Sequence, residues 1–240
     1  MWRWLFSIIC QIILLLNSVS LVAKNFDVIT DSIEITPFQQ IMLIGTENTI
    51  FTLCQSSSYA LSLKGCSRDE IILEKSDSTL MVFVDRSVGS SDIVISIHAP
   101  EWHSILCALA NKIRFGNKLI SENLRIEVNA VNSCDIDVQS GVFQLELRDV
   151  DHGIVCGNCD KAMVVFDSSP EDSASVLDAR NLCVKQVLVD TGIQNNVYMH
   201  VEESLWIQNG RDSEITIYGS PRTIHNDTPT NTVHFIPVKK

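Results

Sequence analysis

The chain has 240 residues, 45% of them hydrophobic and 20% charged, with only 10 Gly and 6 Pro. These figures exclude disorder, collagen-like sequence and low-complexity linker, and the length suits one domain, alone or with a small appendage. With 18 Lys and Arg against 29 Asp and Glu the formal charge is −11, which argues against nucleic-acid binding by phosphate neutralisation and against a polybasic membrane-surface protein.

The first element is Met1-Trp2-Arg3-Trp4 followed by an apolar run from Leu5 to Leu16, broken only by Ser7, Cys10 and Gln11. A short basic start, an apolar stretch and small residues at Ser18, Ser20 and Ala23 read as a secretory signal over residues 1–23, with an uncleaved anchor as the alternative. Contact with a membrane is expected only through this segment, if it is retained. Seven cysteines follow Cys10, so at least one thiol stays unpaired or pairs between molecules. Export permits disulfides. Cys54 and Cys66 flank a strand connection and are a candidate bridge, while Cys107, Cys134 and Cys183 read as small buried hydrophobes.

Beyond residue 24 helical periodicity is nearly absent. Short apolar runs such as Ile41-Met42-Leu43-Ile44 and Leu80-Met81-Val82-Phe83-Val84 alternate with Asn-, Asp-, Ser- and Gly-rich breaks, so the chain is all-β. The second half repeats. From Leu124-Arg125-Ile126-Glu127-Val128 to Phe143-Gln144-Leu145-Glu146-Leu147, and on to Ala162-Met163-Val164-Val165-Phe166, each step is 19 residues. Turns are expected at Asn111-Lys112, Asn132-Ser133 and Asp151-His152-Gly153. A unit this short buries its apolar face only by stacking on its neighbours, which predicts a β-solenoid of about six coils. A β-sandwich is the alternative. The Val184 unit is ambiguous, because Leu182/Val184/Leu188 and Cys183/Val187/Val189 propose opposite inward faces.

Four stretches carry a resemblance to a known family. They are Phe38-Gln39-Gln40-Ile41-Met42-Leu43-Ile44-Gly45 with Asn48–Leu53, then Asp92–Trp102, then the repeats from Ile105, and finally Leu205–Pro221 with its Tyr218-Gly219-Ser220-Pro221 end. Together they resemble the putative auto-transporter adhesin head (GIN) domain, a domain of unknown function of bacterial envelope proteins, over about residues 33–225. The resemblance implies a right-handed single-stranded β-helix, export to the envelope (periplasm, cell surface or outside) and no known chemistry. It divides the chain into the segment 1–23, the GIN-type domain 24–225 and a polar tail 226–240. The turns depart from the family's Gly-Ser-Gly style, and seven cysteines are more than the family leads one to expect.

Cys156-Gly157-Asn158-Cys159 is the sharpest local motif, but an apolar strand rather than a helix follows it, and no second ligand pair accompanies it. It reads first as a tight turn with an optional strained disulfide, ahead of metal or redox roles. Asp135, Asp137, Asp149 and Asp151 are the carboxylates to weigh for polysaccharide-cleaving chemistry. Their alternation with Ile136 and Val150 fits a solvated strand and turn. No catalytic, cofactor-binding or metal-binding set is assembled. Trp102, Trp206 and Tyr218 are candidate sugar-stacking aromatics, with coil-edge packing as the plainer alternative. The expected function is an exported, non-enzymatic module that presents an acidic surface to a protein or glycan. A polysaccharide-active β-helix enzyme and a self-associating structural module are the alternatives.

Overall fold

The computed structural model describes residues 32–85, 92–167 and 175–237. The apolar segment 1–23 and Cys10 lie outside the described residues. In chain order the strands are β1 (Ser32–Glu34), β2 (Gln40–Ile44), β3 (Thr49–Gln55), β4 (Ala60–Lys64), β5 (Ile71–Ser76), β6 (Thr79–Val84), β7 (Ile93–Ala99), β8 (Ser104–Phe115), β9 (Leu119–Asp167), β10 (Val176–Thr191), β11 (Asn196–Gln208), β12 (Glu214–Gly219), β13 (Thr223–Asn226) and β14 (Thr232–Ile236), with one 3-10 turn at Arg68–Glu70. The all-β expectation therefore holds among the described residues.

All of these strands belong to one mixed sheet that does not close into a barrel. Its pairings are parallel except for β1–β4, β4–β7 and β5–β6. A β-sandwich would instead show two antiparallel sheets face to face. From β8 onward, partners in the parallel ladders are separated by about one repeat, whereas β2 and β3 pair segments much farther along the chain, Gln40 with both Thr79 and Ser104 and Ile50 with Lys112. Ser104 pairs Arg125, Leu188 pairs Trp206, Asn196 pairs Glu214 and Glu214 pairs Thr232. The β9–β10 step is longer, His152 to Val176, because it includes residues 168–174.

A straight strand as long as β9 would span about 160 Å at ~3.3 Å per residue, so its backbone must bend. The bends are legible in the burial pattern. Along strand segments buried and outward residues alternate, but at Asn129-Ala130, Asn132-Ser133, Arg148-Asp149 and Asp151-His152 two outward residues follow each other between buried ones. Each such pair turns the chain while keeping the apolar side inward. Leu109, Ala130 and Asp149 hold left-handed φ values of 56°, 52° and 49°. The flanking pairs Ala108↔Asn129 and Ala110↔Val131 set Leu109 beside Ala130. Gly157, at φ 112°, takes another bend where a Cβ would sit 1.8 Å from the Val138 carbonyl oxygen, so only glycine fits.

The core consists of inward columns in which like residues lie side by side. Ile105 pairs Ile126, and Val189 pairs both Val164 and Ile207, all with no exposure. Toward the N-terminal end Trp102, 1% exposed, meets Phe38 edge-on with ring centroids 5.8 Å apart. The ambiguous Val184 unit resolves through its bends. Leu182, Val184, Val187 and Val189 are all buried, because Lys185 and Gln186 turn outward together, and the register with β11 shifts between Val184 and Gln186. The segment read as a polar tail contains β14, whose Val233 and Phe235 continue the inward rows of Ile215 and Ile217.

Candidate functional site

The cysteines were the first candidates for chemistry, and the structure places all seven described ones as free thiols. The Cys54–Cys66 bridge is corrected by topology. β7 lies between β3 and β4, Cys54 pairs His98 near one end of β7, and Lys64 pairs Val94 near the other. At ~3.3 Å per residue the two cysteines stand well beyond the ~7 Å that a disulfide spans between Cα atoms. In Cys156-Gly157-Asn158-Cys159 the Gly157 bend separates the two thiols. Cys156 points outward and donates to the Ile136 carbonyl at 3.4 Å, whereas Cys159 is buried, 4% exposed.

Burial pushes every one of these thiols up in pKa. Cys66 and Cys183 rise to about 11 and Cys134 and Cys159 to about 12, with desolvation the main cause. Cys54, Cys107 and Cys156 rise as well, again chiefly by desolvation. A nucleophilic or redox cysteine needs its thiolate stabilised. None of the described thiols sits in such a setting.

The carboxylates do not converge. Asp135 forms an ion pair with Lys112, and Asp137 lies 3.7 Å from Lys118. Asp149 and Asp151 sit at exposed bends. Among the described residues no group of three His, Cys, Asp or Glu side chains is placed to hold a metal ion. A shallow recess of about 490 Å³ is lined by Arg148, Asp167, Asp190, Asn209 and Arg211. Its two carboxylates are engaged, Asp167 with Arg148 at 3.8 Å and Asp190 by a 2.8 Å hydrogen bond from Asn209.

The aromatic candidates divide. Trp102 is part of the core, so its expected surface role is corrected: the indole closes the space above Phe38 and is out of reach of a ligand. Trp206 is outward on β11, 37% exposed, and stacks on His225 with ring centroids 5.3 Å apart and planes 9° apart. Parallel pairing sets it in a column with Leu188, which also pairs Met163. Met163, Leu188, Trp206 and His225 thus form consecutive rungs on the outer face, spaced at ~4.8 Å by the ladder. Leu188 is half-buried and Met163 is 45% exposed.

Tyr218 lies on the other strand segment, half-buried on β12 beside His200. It belongs to a cluster that reading the sequence missed. Arg180 bonds Asp178 through Nη2 at 2.5 Å and through Nε at 2.9 Å, and its guanidinium stands 5.7 Å from the centre of the Tyr198 ring. Tyr218 accepts a further hydrogen bond from Arg180, whose pKa is raised chiefly by Asp178, while the Asp178 carboxyl is lowered chiefly by Arg180. Asp178 pairs Tyr198, and His200 pairs Tyr218. The signal was weak in sequence because these residues come together only through the pairing of three strands.

A family model described as "putative auto-transporter adhesin, head GIN domain" matches residues 37–221. The chain belongs to this family. A comparison with curated proteins finds no match. Among solved structures this GIN domain is similar to a putative adhesin from Bacteroides fragilis NCTC 9343, at 19% identity and TM-score 0.67, covering 88% of this chain and 98% of that one. It is also similar to a protein from Parabacteroides distasonis ATCC 8503 named a putative lipid binding protein, at 14% identity and TM-score 0.60, with the same coverage. A third, a putative adhesin from Parabacteroides merdae ATCC 43184, is 15% identical with TM-score 0.56, covering 88% of this chain and 97% of that one. At these identities the likeness is one of fold. Among the described residues no helix is long and apolar enough to cross a membrane.

Proposed function

We propose that this GIN domain is an exported, non-enzymatic binding module of the bacterial envelope, built as a β-helix whose outer face engages a glycan or protein. The β-helix reading is supported by parallel pairs about one repeat apart and by left-handed bends that fall one above another at Leu109 and Ala130. The observation that carries the binding reading is the outward column of Met163, Leu188, Trp206 and His225. A flat, partly aromatic stripe on a rigid sheet suits stacking on a sugar ring or packing against a protein surface. The acidic surroundings, from a net charge of −11, favour neutral or basic ligands. The polysaccharide-cleaving alternative has less support, because the candidate carboxylates Asp135 and Asp137 are engaged by lysines and Asp149 and Asp151 sit at a separate bend. A lipid-carrier role has less support too, because the inward side chains fill their own interior.

The test is a glycan array followed by titration calorimetry of each hit and by chromatography of the glycan. Binding that is weakened at least tenfold by Trp206→Ala, with glycan length unchanged, supports this reading. Shortened glycan would instead establish an enzyme, and binding indifferent to Trp206→Ala would place the contact elsewhere.

A further inference from the structure

The inward columns of the core end open at the C-terminal edge of the sheet. Among the described residues β14 pairs only β12, and β13 pairs only β11. Leu205 is fully buried, but its partner Ile224 is 45% exposed; Ile217 is fully buried, but its partner Phe235 is 44% exposed. Ile236 adds a further exposed apolar side chain at 44%. The edges at the other end are built differently. β1 is three residues long and ends in Glu34, and the outer edge of β5 carries exposed Glu74 and Lys75. Short length and charge are the devices by which natural sheets discourage pairing. β14, Thr232-Val233-His234-Phe235-Ile236, has neither an acid nor a lysine.

We propose that this edge is the docking surface for a second copy of the chain, β14 against β14 in antiparallel register about a two-fold axis. Two features of the molecule favour a second copy. The first is self-complementarity, which a two-fold interface requires. In a register centred on His234, Val233 of one copy lies opposite Phe235 of the other, and Thr232 lies opposite Ile236. The exposed inward residues of each copy then cover those of its mate, and the free backbone groups of both edges find partners. The second is charge. From Ser220 to Pro237 the only formally charged residues are Arg222 and Asp227, in a chain of net charge −11. Lys239 and Lys240 follow, so this end lacks the acidic excess of the rest of the chain, and two such acidic chains meet here without the repulsion between their acidic faces. The inference is independent of what the outer face binds, since β14 takes no part in the Met163–His225 column.

The experiment is sedimentation velocity on the full chain over a range of micromolar concentrations, with Phe235→Lys, His234→Lys and, as a control at the opposite end, Ile72→Lys. The wild type should pass from one-chain to two-chain mass as concentration rises. Each β14 variant should raise the dissociation constant by about 30-fold, the scale of losing a central contact, with an unchanged melting temperature when dilute, and Ile72→Lys should behave as wild type. All four proteins share the apolar N-terminal residues, so association through those would persist in the β14 variants and overturn the proposal. A wild type that stays monomeric throughout the range would overturn it equally. A photo-crosslinker in place of His234 gives a second readout, expected to capture residues 232–236 of another copy. Capture of any other segment counts against the register.

Discussion

Replacing Ala130 by glycine should stabilise this protein, although the residue lies inside its longest strand. Ala130 holds φ at 52°, where an L-residue crowds its Cβ against its own backbone at a cost of roughly 1–2 kcal/mol. Glycine removes that crowding but adds conformational freedom to the unfolded chain, which offsets about 0.5–1 kcal/mol of the gain. The net expectation is a stabilisation of about 0.5–1 kcal/mol. Gly157→Ala is the opposing control. At φ 112°, with a Cβ 1.8 Å from the Val138 oxygen, it should destabilise by more than ~3 kcal/mol, because the backbone of two neighbouring strands would have to part. Urea unfolding followed by far-UV circular dichroism measures both. If Ala130→Gly destabilised the protein by 1 kcal/mol or more, Ala130 would be on ordinary extended backbone and the stacked bends would be wrong.

Phe143, with no exposure, should cost about 3–5 kcal/mol when cut back to alanine, read in the same urea assay. Alkaline pH should weaken the fold. Cys134 and Cys159 have folded pKa values raised to about 12, so their stabilising effect is complete below the ordinary thiol range and is lost as pH rises above it. Each should remove about 1 kcal/mol between pH 9 and 10, seen as a falling melting temperature that flattens in Cys134→Ala. Asp178 works in the other direction: its lowered pKa adds stability above the usual carboxylate value that disappears as pH falls below about 4. Because the pair is solvent-facing, the effect should stay under ~0.5 kcal/mol, and Arg180→Met should return the Asp178 titration measured by NMR toward the ordinary carboxylate value.

The repeat was legible in sequence because burial on a strand forces alternation, and Leu124, Phe143 and Ala162 begin alternating runs at equal spacing. The bends were less so. Polar pairs such as Asn111-Lys112 and Asn132-Ser133 do mark bends, but bends within the continuous strands β8 and β9 rather than loops between strands. The left-handed residues stand just before them, at Leu109 and Ala130, and neither residue type advertises that conformation. The pairing of strands distant in sequence decided the rest. Nothing local tells that β7 separates Cys54 from Cys66, or that Trp102 meets Phe38. The Arg180–Tyr198–Tyr218 cluster is assembled by strand register alone, and β14 hid because it is short and follows the polar run from Asn226 to Asn231.

A crystal structure of the chain is the measurement that tests the stacked arrangement most directly. It should show Ile105 beside Ile126, and Val164, Val189 and Ile207 in one inward column, with parallel neighbours ~4.8 Å apart. Two antiparallel sheets packed ~10 Å apart, with Val164 and Val189 on different strands of opposite sheets, would contradict it.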